Sequence, residues 1–420
     1  MCIKTLMRMK HILSILFLSS LTLLAKAQMV DVLVEDGFEN VRASRTNDVT
    51  YVSFEDNIYR GTYTGLNKAL QLILASVPED DALDVVVADL GQPRLHLAVD
   101  AQMIGDYRQG KISLSEVYSK MLIDNDYDAS WQMLKRISKR QTNSSSWKAD
   151  FVIYPQLSLD NTYLDELYDY YFNIAPALEM TMWSGAKLTL QAIVPIATNM
   201  SGQYNRFRAG FLTVEQNFTL SHGFKVRLVG GNFNNNRAGV QFEGKWNSQN
   251  GRVEVGAKVA GTVQSIVTSK KGWTFSDKWR ATANAYMSYY VPQYNTELKL
   301  QGNRYVYGDY GIRGDIIRHF GECTIGLYGM YVKSEFNGGF NFTFPLPGKK
   351  FMPHRSVRIR PAYNWSMEYT IKSVWDGKNM SREVAKKFAT SPDENANHRF
   401  YQPDYIRYFM VQEAEKSRNK

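Results

Sequence analysis

Residues 237–263, RAGVQFEGKWNSQNGRVEVGAKVAGTV, carry a two-residue rhythm that decides how most of the chain folds. Before the Asn247-Ser-Gln-Asn-Gly251 turn, Ala238, Val240, Phe242 and Trp246 share one side, while Arg237, Gln241, Glu243 and Lys245 share the other. After it, Val253, Val255, Ala257, Val259 and Val263 oppose Arg252, Glu254, Lys258 and Thr262. Successive side chains of a strand point to opposite sides, so this alternation reads as two strands with one apolar and one charged face.

The same rhythm recurs in Phe224, Val226 and Leu228 against Lys225 and Arg227, and in Leu188, Leu190, Ala192, Val194 and Ile196 against Lys187, Thr189 and Gln191. It returns in Phe340, Phe342 and Phe344 against Asn341 and Thr343. A last run sets Val357, Ile359, Tyr363, Trp365 and Met367 against Arg358, Arg360, Asn364 and Glu368. A soluble sandwich also alternates. These runs, however, last about ten residues, longer than the usual five or six of globular sheets. They come roughly every 20 residues, as strand plus turn in an up-and-down meander would, with charge on one side and aromatics on the other. In hydrocarbon each unpaired N–H or C=O costs several kcal/mol, so such a sheet has to close on itself.

The expected fold is therefore mainly β: a single transmembrane antiparallel β-barrel of about 12–14 strands, covering residues 148–372 and preceded by a small α/β periplasmic domain at 28–140. In that first part Val41–Arg60 reads as two strands turning at Thr46-Asn47-Asp48, and Leu66, Ala69, Leu70, Ile73 and Leu74 as an amphipathic helix ending before Pro78. Leu83–Ala88 and Leu95–Val99 read as strands around Gly91-Gln92-Pro93, and Ser113 with Glu116 as a capping box. This order favours helices on one face of a small mixed sheet. The polar stretch Gln141–Ser146 marks the boundary. The charged tail, 373–420, is expected outside the wall, with at most weak helicity over Glu383–Phe388.

At the N-terminus, Lys4, Arg8, Lys10 and His11 precede the apolar run Ile12–Ala25 and the small-residue end Ala25-Lys26-Ala27. That is the pattern of a signal peptide, residues 1–27. Cleavage removes Cys2 and leaves Cys323 alone, which excludes an internal disulfide, and no cysteine stands at the cut to carry a lipid. Aromatic residues make up 13%, including 26 Tyr and 8 Trp, types that collect at the lipid headgroup layer. The net charge of +9 is spread along the chain without the basic-aromatic clustering of a nucleic-acid module, so nucleic acid is set aside.

Catalytic signals are sparse. The histidines at 11, 96, 222, 319, 354 and 398 lack the paired spacing of metal ligands, and no Gly-x-Ser-x-Gly elbow occurs. Ser221 and His222 are neighbours read on opposite sides of a strand, and Asp309 and Asp315 read as a structural charge ladder with Arg313. No catalytic, cofactor or metal residues are expected. The inward face instead carries more cations than acids. In an open lumen Arg227, Lys245, Arg252, Lys258, Arg280 and Arg358 would concentrate an anionic polymer, with Tyr286 and Tyr290 stacking on sugar rings. In a plugged lumen the same charges neutralise one another.

The stretch Tyr305–Pro347, YVYGDYGIRGDIIRHFGECTIGLYGMYVKSEFNGGFNFTFPLP, resembles the C-terminal barrel of the YjbH-type exopolysaccharide and capsule biosynthesis family. Gly308-Asp309-Tyr310-Gly311, Arg318-His319-Phe320, and Gly338-Gly339-Phe340 with Phe344-Pro345-Leu346 match that family's motifs in order. Gly37–Val41 and Phe54–Arg60 resemble its domain ahead of the barrel, although the longer members join two barrels and this chain has length for one. The resemblance implies a non-enzymatic outer-membrane component of exopolysaccharide or capsule assembly, acting as conduit, scaffold or surface-retention factor. Its partners would be outer-membrane lipid, an anionic polysaccharide and other secretion proteins. The alternatives are a general porin or substrate-specific channel, and a barrel enzyme acting on lipid or glycan.

Overall fold

The computed structural model describes residues 28–161, 168–200, 202–268, 272–370, 384–394 and 399–418; the expected signal peptide lies outside them. The chain is mainly β, with 53% of residues in strands against 20% in helices. Two sheets carry the strands, one of five and one of fifteen.

The first sheet takes its strands in chain order: β1 (Glu39–Thr46), β2 (Val49–Glu55), β3 (Ala82–Asp89), β4 (Gln92–Val99) and β5 (Leu122–Asp124). Asn47 and Asp48 take positive φ in the first turn, as the two-residue hairpin loop demands, and Leu90 with Gly91 do so in the third. β2 and β3 run parallel, joined by α2 (Thr62–Ser76), and the other pairs are antiparallel. Residues 28–36 are helical (α1); α3 (Ala101–Arg108), α4 (Leu114–Lys120), α5 (Asp128–Ile137) and α6 (Pro403–Arg418) complete the helices. Ser113 and Glu116 form the expected capping box at α4.

Helices were expected on one face, but they cover both. On one side Leu66, Leu70 and Ile73 of α2, Val117 of α4, and Ile406 and Met410 of α6 pack with Val52, Phe54, Val85 and Leu97. On the other, Leu134 of α5 packs with Val86 and Tyr127. The reason lies in β3, whose Val85, Val86 and Val87 are all buried and so present apolar surface both ways.

The large sheet is a meander of long strands: β6 (Ala149–Asn161), β7 (Tyr168–Thr181), β8 (Ala186–Thr198), β9 (Arg208–Thr219), β10 (Phe224–Phe233), β11 (Arg237–Asn247), β12 (Val253–Thr268), the short side strand β13 (Gly272–Phe275), β14 (Arg280–Val291), β15 (Thr296–Arg304), β16 (Tyr310–Phe320), β17 (Cys323–Val332) and β18 (Glu335–Pro345). The run expected as one last strand is broken into β19 (Val357–Pro361) and β20 (Asn364–Thr370). Pro361 ends β19 and Tyr363 turns inward at the break, 4% exposed, instead of sharing the apolar side. With β13, that break takes the count to fifteen, above the expected twelve to fourteen. It also introduces a parallel junction into a sheet expected to be wholly antiparallel: β19 pairs parallel with β6, while β20 pairs antiparallel with β18. One continuous segment, Val357–Thr370, therefore hydrogen-bonds to both ends of the meander.

The turns at one end of this sheet dock on the five-stranded unit. Gly185 N–H donates to Leu90 C=O (2.6 Å), His222 N–H to Asp128 (2.7 Å) and Asn125 N–H to Gln249 C=O (2.8 Å). Arg60 pairs with Glu322, Tyr405 O–H donates to Gly321 C=O (2.9 Å), and Phe351 N–H to Ile58 C=O (2.8 Å). Ser221 and His222 thus lie in a turn, with His222 at φ +62, and not on a strand as expected. Glu55, fully buried, organises the junction by accepting from Leu90 N–H (3.1 Å), Gly91 N–H (2.9 Å), Asn40 (2.6 Å) and Asn57 (3.0 Å).

His96 of β4 lies between Asp124 (3.0 Å) and Asp84 (3.5 Å). Burial opposes its charge, but the two carboxylates outweigh it and raise the imidazole to about 9. The resulting stabilisation is complete below about 6.5, the unfolded value, and is lost as pH rises through about 9. Unfolding free energy measured by urea titration is expected to fall across that window, and His96→Gln to flatten the slope. An equal slope in the variant would remove the assignment.

Candidate functional site: the enclosed polar face

Along the strands the exposed side is the apolar one. Val240 and Phe242 are 54% and 47% exposed and Ile359 is 75% exposed, whereas their neighbours Gln241 and Arg358 are 6% exposed. The same inversion holds for Ile312 and Ile316 against buried Asp315, and for Leu190 against Thr189 and Gln191. Exposed Trp147, Trp183, Tyr294 and Phe320 stand at the end near the five-stranded unit, and exposed Phe207, Trp273, Phe275, Trp279 and Tyr310 at the opposite end.

Six of the seven side chains singled out from the sequence, Arg227, Lys245, Arg252, Lys258, Arg358 and Tyr286, line one cavity of about 540 Å³ at the docked end. Arg280 is not among them; it lies over the Tyr307 ring (5.3 Å). The charges are paired. Arg227 meets Glu215 (2.6 Å), Lys245 meets Glu254 (3.1 Å), and Arg358 and Arg360 both meet Asp150 (2.7 Å each). Arg313 bridges Asp315 (2.6 Å) and Glu368 (2.9 Å); Asp309, expected on the same ladder, instead accepts from the Ala385 N–H. Tyr286 O–H lies 3.1 Å from Glu254, and Lys299 covers its ring at 4.5 Å. Tyr290 packs against His319 and Phe400, so neither tyrosine offers the free sugar-stacking face expected of it.

Part of the cation surplus read from the strands is met by acids from the tail. Lys258 pairs with Glu394 (3.0 Å), Arg252 with Asp404 (2.7 Å), and Tyr154 O–H lies 3.1 Å from Asp393. The expectation that the tail lies outside the wall is corrected: residues 384–394 run along the enclosed face. Ala385 N–H donates to Asp309 (2.7 Å) and Ala389 N–H to Asn234 (2.6 Å); Phe388 stacks on Phe233 (5.4 Å), and Thr390 is fully buried beside Arg227 (3.0 Å). This segment touches β6, β10 and β12 of the large sheet. Residues 384–388 are not helical; the tail's helix is α6, which packs into the first unit's core through Tyr405, Ile406 and Met410. Pro403-Asp404 ahead of Tyr405, Ile406, Phe409 and Met410, an apolar i, i+1, i+4, i+5 pattern, is a helix signal the sequence reading missed.

No protein-family model matches the chain, and no curated protein matches it in sequence. The family likeness rests on the residues of Tyr305–Pro347, Gly37–Val41 and Phe54–Arg60 alone.

Removing one partner of an enclosed ion pair leaves the other charge uncompensated, at a cost of about 3–5 kcal/mol, whereas replacing both by apolar groups is close to neutral. Lys258 keeps Glu243 at 3.8 Å, so Glu394→Gln is expected to destabilise the protein by less than that, about 1–3 kcal/mol, and Lys258→Met in the same chain to restore part of the loss. Denaturant titration of the two variants checks this; additive losses would show that Lys258 and Glu394 are not coupled.

Proposed function

We propose that the protein is an outer-membrane anchor for exopolysaccharide or capsule assembly: a β-barrel closed through Val357–Thr370, holding an α/β domain in the periplasm as a scaffold. The observation that carries the membrane part is the inverted strand. A large apolar side chain left in water forgoes roughly 1.5–3 kcal/mol, so ten such positions would forgo more than the 5–15 kcal/mol by which domains are usually stable. Against lipid the same side chains are solvated, and the aromatic residues at both strand ends fit the two headgroup layers. Closure is supported by the chain continuity between β19 and β20, because an open edge in hydrocarbon is too costly to persist. The signal-peptide pattern at residues 1–27 supports export.

Of the roles considered for the barrel, scaffold agrees best with an interior occupied by residues 384–394, whose cations are bound by carboxylates. The polysaccharide assignment rests on the sequence likeness, and the reading is non-enzymatic. Two experiments test it in separate parts. The purified chain should require detergent and migrate faster on gels when unboiled than when boiled; a chain soluble without detergent removes the membrane reading. Deleting the gene should abolish extracellular polysaccharide while leaving uptake of small solutes unchanged, and the reverse result favours a porin.

A further inference from the structure

Nine of the twelve lysines and arginines lining the cavity have a carboxylate within 4 Å, and the pairs named above account for most of them; Lys148 with Glu39 (2.6 Å) and Lys187 with Glu179 (3.1 Å) follow the same rule. Among the described residues Lys299, Arg399 and Lys225 do not. Lys299 lies over the Tyr286 ring (4.5 Å) and Arg399 donates to Asn57 (3.0 Å) and Tyr363 (3.1 Å), which leaves Lys225 the most poorly held of the three. Its ammonium group donates only to Asn247 Oδ1, at 3.3 Å, and lies 6.0 Å from the Tyr127 ring centroid. No carboxylate stands within 4 Å of it among the described residues. Of the carboxylates that share the cavity with it, Glu254 is engaged by Lys245 (3.1 Å), Asn247 (2.8 Å) and Tyr286 (3.1 Å), and Asp89 faces Arg94 (3.4 Å).

Two further features aggravate the imbalance. Lys225 stands directly opposite Lys245 on the β10–β11 ladder, a like-charge pair that antiparallel sheets disfavour. Arg94 of β4 reaches the same cavity from the five-stranded unit, and its Nε is buried without a hydrogen-bond partner; Asp89, at 3.4 Å, lacks the geometry for one. Three cationic groups from two sheets thus share one polar hollow with donor capacity to spare. A cation kept away from bulk water is stabilised by a close counter-charge, and among the described residues no carboxylate pairs directly with Lys225.

We propose that the corner of the cavity bounded by Arg94, Lys225 and Lys245 is a binding site for a small oxyanion, either phosphate or the carboxylate of a sugar acid. The anion would neutralise Lys225, relieve its repulsion with Lys245 and accept from Arg94 Nε. A cavity of about 540 Å³ is within the usual size range of small-ligand sites. The site does not depend on the membrane or polysaccharide readings, since its residues and spacing stand without them.

The test is isothermal titration calorimetry of the full mature chain in detergent, with inorganic phosphate in one arm and glucuronate in the other. Ionic strength is held constant with chloride, and glucose serves as the neutral control. Saturable one-site binding of either anion is expected, with phosphate alone indicating a phosphate site and glucuronate indicating a sugar acid. Lys225→Gln and Lys225→Met should each weaken binding at least tenfold, while Lys278→Gln, on an exposed turn at the opposite end, leaves it unchanged. The melting temperature of the unsubstituted chain should also rise with the bound anion. No saturable heat from either anion, or equal affinity in the folded Lys225 variants, would overturn the site.

Discussion

The structure depends on a reversal of the ordinary relation between sequence and solvent. In the long strands the side that faces outward is Val, Ile, Leu and Phe, and the side that faces inward carries Asp, Glu, Lys and Arg. An inward charge cannot be hydrated freely, so each needs a partner, and the partners have to come from wherever the chain can supply them. Neighbouring strands supply many, as in Arg227 with Glu215 and Lys245 with Glu254. Where the strands run short of acids, a segment far along the chain brings Glu394 and Asp404 to Lys258 and Arg252. The interior is filled because its charges demand it.

The same demand couples the two sheets. Glu39 of β1 holds Lys148 ahead of β6, and Arg60 after β2 holds Glu322 in the β16–β17 turn. Burial holds Glu39 above the usual carboxylate range even with Lys148 and Asn57 against it, the mark of a charge kept for position. Apolar packing runs across the junction as well: Tyr290 of β14 belongs to the same core as Leu66 of α2 and Ile406 of α6. His319 stacks on Phe400 at 4.4 Å within that contact. The smaller unit is therefore part of the same folded body as the strands on which it rests.

Most of the wall was legible in the sequence because period-two alternation is local, and residues 237–263 carry it without interruption. So were the β1–β2 hairpin and the Ser113 cap, both fixed by turn and cap chemistry a few residues long. The break at Pro361–Tyr363 was not, since alternation resumes after it and hides the inward turn of Tyr363. The short helices α3 and α5 escaped because a few turns give little periodicity to read. The charged side of the strands was legible, and part of its pairing with it, since Glu243 stands opposite Lys258 on the β11–β12 ladder. Glu394, 136 residues from Lys258, was not, because no local pattern encodes that contact. The weak hold on Lys225 emerges only once the contacts of the cations around it are known.

The path of the tail ties the two sheets together. β20 runs away from the five-stranded unit, residues 384–389 contact turns at that far end, Glu394 sits midway, and α6 is back beside α2 and α4. Its described parts therefore touch the long strands at several heights and the core of the smaller unit as well, so loss of α6 would uncover Leu66 and Leu70 and release Gly321 at one end while Glu394 still held Lys258 further along.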